Sequence, residues 1–236
     1  MTQLKNKVAI ITGSSDGLGK QVALALAKEG VSLALVARDS KKLKVAIKEV
    51  EKLGSPKAFW YSCDVQHLDQ IKNTVTKIVA DFGKVDMLIN CAGIWQKKDV
   101  LENIDEKTID DVIQTNLTGL IHFTRIVLPH LKKQQESAII NISSKSGVTI
   151  QENQSVYTAS KWGVTGFTEV LKVELKGTGV RVAGIYQGGV NTEMFRKTGE
   201  DFNQDHFIKP ADLAQVIVFM LSQPPQIWLH DVRVEY

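Results

Sequence analysis

Short apolar runs alternate along the chain with longer stretches whose apolar residues recur every three or four positions. The runs at 8–12, 32–37, 57–62, 87–90, 138–143, 180–185 and 228–234 read as strands. The stretches at 18–29, 40–53, 68–82, 106–131, 156–177 and 210–221 read as helices. Strands separated by helices predict an α/β fold, because parallel neighbours need crossover connections. Right-handed crossovers narrow this to a doubly wound, Rossmann-type parallel sheet of about seven strands, with helices on both faces. No linker, repeat or low-complexity segment breaks the pattern, so residues 1–236 are expected to form a single domain. Two segments, 94–105 and 193–209, are expected to be mobile loops. The second contains Gly199 and is the expected substrate loop.

Composition adds bounds. A hydrophobic fraction of 43% in 236 residues is ordinary for a chain that buries a core. A net charge of +3, with basic residues dispersed among acids, gives no reason to expect nucleic acid. The cluster Lys41-Lys42-Leu43-Lys44 reads as a solvated helix face. The start, Met1-Thr2-Gln3, is polar, and the first apolar run is too short for a signal peptide or membrane span. A cytoplasmic protein with no membrane partner is expected. Cys63 and Cys91 each follow a strand-like run and read as buried free thiols. The five histidines are scattered, so no metal site is expected.

The chemistry lies in a few spaced residues. Gly13, Gly17 and Gly19 fall between the first strand and first helix, with Ser15, Asp16 and Leu18 among them. Such a turn lets backbone approach a pyrophosphate at a helix N-terminus. The second strand ends in Ala37-Arg38, where an acid would select NAD. Arg38 can instead bond a 2′-phosphate, so NADP is expected, with NAD possible. Asp16 opposes this by repelling a phosphate. The plain alternative for Arg38 is an exposed side chain paired with Asp39 or Asp16. Tyr157 and Lys161 stand one helical turn apart on a common face. A neighbouring ammonium is expected to lower the phenol pKa, and Ser144, thirteen residues upstream, can orient the same reacting oxygen.

With Asn90-Cys91-Ala92-Gly93, Asn116 and Ile142-Ser143-Ser144 between them, these residues resemble the short-chain dehydrogenase/reductase family. The likeness runs from Lys7 to about Thr192. It implies that Tyr157 is the general acid in reduction and the base in oxidation. It implies that Lys161 tunes Tyr157 and holds the nicotinamide ribose. Ser144 would bond the substrate oxygen, and Asn116 would hold a water that links Lys161 to solvent. Strand alternation points neighbouring Ser143 to the other face. The resemblance further implies adenine contacts at Asp64 and Val65. It places Asn90, Ala92 and Gly93 along the cofactor, and Gly188, Val190 and Thr192 near the carboxamide. Gln187 stands where relatives usually carry proline. Trp95, Lys145, Ser146, Tyr186 and Gln187 are expected to border the substrate pocket, and Trp162 to pack against the core or a partner subunit. The implied reaction is hydride transfer between NADP(H) and a small carbonyl or secondary alcohol. A homodimer or homotetramer is expected. A nucleotide-binding regulator without turnover is the alternative, and the retention of Asn116, Ser144, Tyr157 and Lys161 argues against it.

Overall fold

Strands covered on both faces are mainly apolar, and β1 (Val8–Thr12), β4 (Met87–Asn90) and β5 (Ser137–Ile142) are buried along their whole length. The computed structural model describes residues 4–236. The polar start, including Thr2 and Gln3, lies outside the described residues. β2 (Ser32–Ala37), β3 (Ala58–Ser62), β6 (Val180–Gln187) and β7 (Asp231–Val234) complete one seven-stranded sheet, ordered β3-β2-β1-β4-β5-β6-β7. Every pairing is parallel. The strand order reverses between β1 and β4. A crevice therefore opens at the carboxyl ends of these strands, where open α/β sheets place ligands.

The helices α1 (Gly17–Lys28), α2 (Ser40–Lys52) and α7 (Pro210–Leu221) cover one face. Val22, Leu26, Ile217 and Met220 pack there against Ile11 and Leu35. On the other face, α3 (Leu68–Phe82), α5 (Gly119–Leu131) and α6 (Ser155–Glu174) bury Ile78, Phe123 and Leu171 against Ile10 and Leu88. No helix among the described residues is long and apolar enough to cross a membrane.

Two expectations need correction. The helix expected over 106–131 is split into α4 (Glu106–Ile113), a π-helical turn at Gln114–Thr118, and α5. Gly119 lies so close to Val65 that an added Cβ would stand 2.6 Å from the Val65 carbonyl oxygen. The wider turn lets the helix pass this point. The last strand begins at Asp231 rather than 228, because Trp228 turns back and donates its Nε1–H to the Val182 carbonyl at 2.8 Å. Short 3₁₀ turns occupy Leu101–Asn103 and Arg196–Thr198.

Candidate active site

The turn after β1 requires its glycines. Gly13 has φ +67°, and a Cβ there would meet Ala92 backbone at 2.8 Å. A Cβ on Gly19 would stand 2.4 Å from the Gly13 carbonyl oxygen. Thr12 Oγ1 accepts from the backbone N–H groups of Cys91 and Ala92, each at 3.1 Å, and so joins the ends of β1 and β4. Asp16 caps α1, accepting from Gly17 N–H at 2.8 Å. Its other oxygen pairs with Lys42 at 2.7 Å and Lys197 at 3.6 Å. The Lys42 bond is the main reason that the Asp16 carboxyl is held below its usual range. Lys42 is therefore not merely part of a solvated face. It crosses to the glycine turn and lines the cleft. Arg38 pairs with Asp64 at 3.8 Å, rather than with Asp39 or Asp16.

At the other end, Ser144 follows β5, and Tyr157 occupies the first turn of α6 with Lys161 one turn on. Ser144 Oγ accepts from Ser146 N–H at 3.1 Å, which leaves its own proton to donate. It also lies beside the Tyr157 phenol and favours its ionised form. Lys161 Nζ lies 5.7 Å from the Tyr157 ring centroid and donates to the Ile142 carbonyl at 3.0 Å. Ser143 turns away, and its hydroxyl donates to the Lys161 carbonyl at 3.1 Å. Trp95 meets Tyr157 edge-to-face, with centroids 4.5 Å apart, and Phe195 packs behind it at 5.1 Å.

The chain matches the short chain dehydrogenase model over residues 7–203. It is 36% identical over 228 residues to a 3-oxoacyl-[acyl-carrier-protein] reductase of Thermotoga maritima, covering 93% of this chain and 92% of that protein. It is 32% identical to an uncharacterized oxidoreductase of Staphylococcus saprophyticus, covering 99% of both. Among solved structures, a metagenomic short-chain oxidoreductase in complex with NADP superposes with a TM-score of 0.85 at 29% identity, covering 100% of both chains. This chain belongs to the short-chain dehydrogenase/reductase family. It is an NAD(P)-dependent oxidoreductase.

The family's dinucleotide fits the residues present. A cleft of about 870 Å³ runs from Arg38, Asp64 and Val65 past Gly13, Ser15, Asp16, Gly17, Leu18 and Gly19 to Ser144, Tyr157 and Lys161. Ala92, Gly93, Gly188, Val190 and Thr192 also line it. Gly93 leaves room beside the lysine, since an added Cβ would stand 3.8 Å from Lys161 Nζ. Asn90 and Asn116 are not on this wall. Asn90 Nδ2 donates to Asn141 Oδ1 at 2.8 Å and Thr124 Oγ1 at 3.0 Å, tying β4 to β5 and α5 behind the cleft. Asn116, in the π-helical turn, accepts from Ile94 N–H at 2.8 Å and donates to Ile94 O and Ser160 Oγ. The sequence gives no signal for Lys42, Gln96 and Phe195, which reach Asp16, Tyr157 and Trp95 across long sequence separations, or for Gln154, whose partners Ser146 and Gln151 are local.

The electrostatics reverse one expectation. Burial raises the Tyr157 phenol to about 12, against a smaller lowering by the Ser144 hydroxyl. The same burial lowers Lys161 to about 8. Desolvation thus outweighs the neighbouring charge. Cys91 is likewise pushed up to about 12 by burial and stays a neutral thiol. Between pH 8 and 10.5 the unfolded chain holds a proton on residue 161 that the folded chain has released. The Lys161 contribution to stability therefore rises with pH across that window, and below it the buried ammonium destabilises the fold by roughly 3 kcal/mol. Lys161→Met should accordingly be more stable than the parent at pH 7, by about 1–3 kcal/mol after loss of the Ile142 bond. That advantage should shrink as pH rises from 8 to 10. Urea melts at several pH values measure it, and a pH-independent difference would contradict it.

Proposed function

We propose that the protein reduces a small carbonyl compound to a secondary alcohol with NADPH, and catalyses the reverse oxidation, with Tyr157 as the acid–base group. The observation that carries this reading is the gathering of Ser144, Tyr157 and Lys161 in one cleft that also runs past the glycine turn. Bound dihydronicotinamide would supply hydride to the carbonyl carbon. Tyr157 gives its proton to the carbonyl oxygen, so the oxygen gains H⁺ as the carbon gains H⁻. Ser144 donates a second hydrogen bond to the same oxygen, where negative charge develops. With a pKa near 12 the phenol is fully protonated at neutral pH, which suits reduction. Lys161, near 8, still carries most of its charge at pH 7 and steadies the phenolate left behind. Asn116 fixes Ile94 and Ser160 beside the lysine. It stands where the family's water-holding asparagine is expected. Segment 193–209 closes over the substrate, with Phe195 against Trp95 as an apolar wall.

Cofactor preference rests on Arg38 and Lys42, two cations at the adenosine end. The Asp16 charge that would repel a 2′-phosphate is offset by Lys42 and Lys197. The solved metagenomic relative holds NADP, which supports a nicotinamide dinucleotide here. A homo-oligomer is supported by the exposed stripe Trp162, Val170 and Val173 along α6.

Tyr157→Phe should bind NADPH nearly normally yet turn over about 10²-fold or more slowly. Steady-state kinetics on the best of a panel of ketones, aldehydes, sugars and quinones tests this, and near-normal turnover would refute the assignment. Arg38 is 62% exposed, so solvent screening trims its contribution. Arg38→Ala should weaken NADPH binding about three- to tenfold and leave NADH binding unchanged. Titrations of the two cofactors would refute this if their ratio did not move. Light scattering at micromolar concentration should give a dimer or tetramer, and a monomer would count against the α6 stripe as an interface.

A further inference from the structure

We propose that Gln96 is a positioning residue for Tyr157. The proposal rests on the acid–base assignment of Tyr157 made above. Gln96 is 1% exposed, and a buried amide is stable only when its donor and acceptor are paired. Its Oε1 accepts from two backbone groups, Val156 N–H at 3.1 Å and Tyr157 N–H at 2.9 Å. Its Nε2 donates to the Asn153 carbonyl at 3.3 Å.

The first N–H groups of a helix have no partner within it, and the residue before the helix usually supplies one from its own side chain. The residue preceding α6, Gln154, does not. Its Oε1 accepts from Ser146 Oγ at 3.1 Å, and its Nε2 donates to Gln151. Gln96 supplies the missing cap from 60 residues away in the sequence. One of the two groups it holds is the N–H of Tyr157 itself.

The residue next to Gln96 acts on the same tyrosine. Trp95 lies against the Tyr157 ring. Consecutive residues thus fix Tyr157 through its backbone and through its ring. The turn that leads into α6 is held to the same segment. Asn153, at φ +60°, offers its carbonyl to both Gln96 Nε2 and Asp99 N–H. The position of the phenol relative to Ser144 depends on the first turn of α6 neither sliding nor rotating. Gln96 is the side chain that pins that turn, and a misplacement of about 1 Å is enough to cost about 10²-fold in rate.

The test uses the full chain with Gln96→Asn, which is one methylene too short to reach both N–H groups, and Gln96→Leu, which removes the acceptor. Gln96→Glu keeps an acceptor. Gln96→Asn and Gln96→Leu should lower kcat about ten- to hundredfold while KM and the NADPH Kd stay within about threefold. Amide exchange at Val156 and Tyr157 should accelerate, with later α6 amides unchanged. Gln96→Glu should restore most of kcat. If Gln96→Leu does not fold, Gln96→Asn decides alone. Unchanged kcat with accelerated exchange would overturn the positioning role. Unchanged exchange would overturn the cap. Parallel loss of kcat, cofactor binding and melting temperature would mean that Gln96 only supports the fold. A parent enzyme with no turnover on any carbonyl would refute the acid–base reading, and the catalytic part of this proposal with it. Lost exchange protection in Gln96→Asn would still uphold the cap.

Discussion

Burying a phenol and an ammonium together at the open end of a parallel sheet is the constraint on which the site depends. Water would hold Tyr157 near its ordinary pKa and Lys161 near 10.5. Burial moves them toward each other, to about 12 and about 8. The tyrosine stays a neutral phenol at neutral pH, and the lysine sits closer to neutrality than an exposed one. A desolvated ammonium is unfavourable, and the fold tolerates it because the Ile142 carbonyl and the Tyr157 ring face it. The surrounding structure leaves each group less than a tenth exposed.

Several polar ties do the holding, and they radiate from the strand order reversal between β1 and β4. Thr12 joins the ends of those strands, and Asn90 with Asn141 joins β4 to β5. Asn141 passes the tie on to Thr168 of α6 at 2.9 Å. Asn116 fixes Ile94, and Gln96 reaches from the same segment to the first turn of α6. These residues do not react. Each satisfies buried backbone or amide groups that would otherwise be costly. In doing so they set the distances between Ser144, Tyr157 and Lys161.

Much of this was legible from local pattern. Apolar runs mark the strands because strands covered on both faces have no solvent-facing side, as Val8–Ile11 of β1 and Ala138–Ile140 of β5 illustrate. The glycine turn is legible because Gly13 and Gly19 stand where any Cβ would collide with backbone. What escaped depends on distant neighbours. The π-helical turn at Asn116 answers to Val65, far away in sequence. Lys42 sits in a basic cluster that suggests a solvated face, yet Asp16 draws it into the cleft. The i, i+4 spacing of Tyr157 and Lys161 correctly placed them on one face but carried no information on dielectric. The direction of the phenol shift was therefore reversed by burial. Gln96 gave no signal at all, since a lone glutamine in a polar loop has no pattern to read.

Direct titration of the buried pair tests this account most sharply. Nuclear magnetic resonance with labelled tyrosine and lysine would follow Tyr157 and Lys161 in the intact protein, with Tyr157→Phe and Lys161→Met used for assignment. The account predicts that Lys161 titrates near 8 while Tyr157 remains a neutral phenol up to about 12. A phenol that ionises below 10, beside a lysine that keeps its ordinary value, would show that the neighbouring charge, and not desolvation, governs the site.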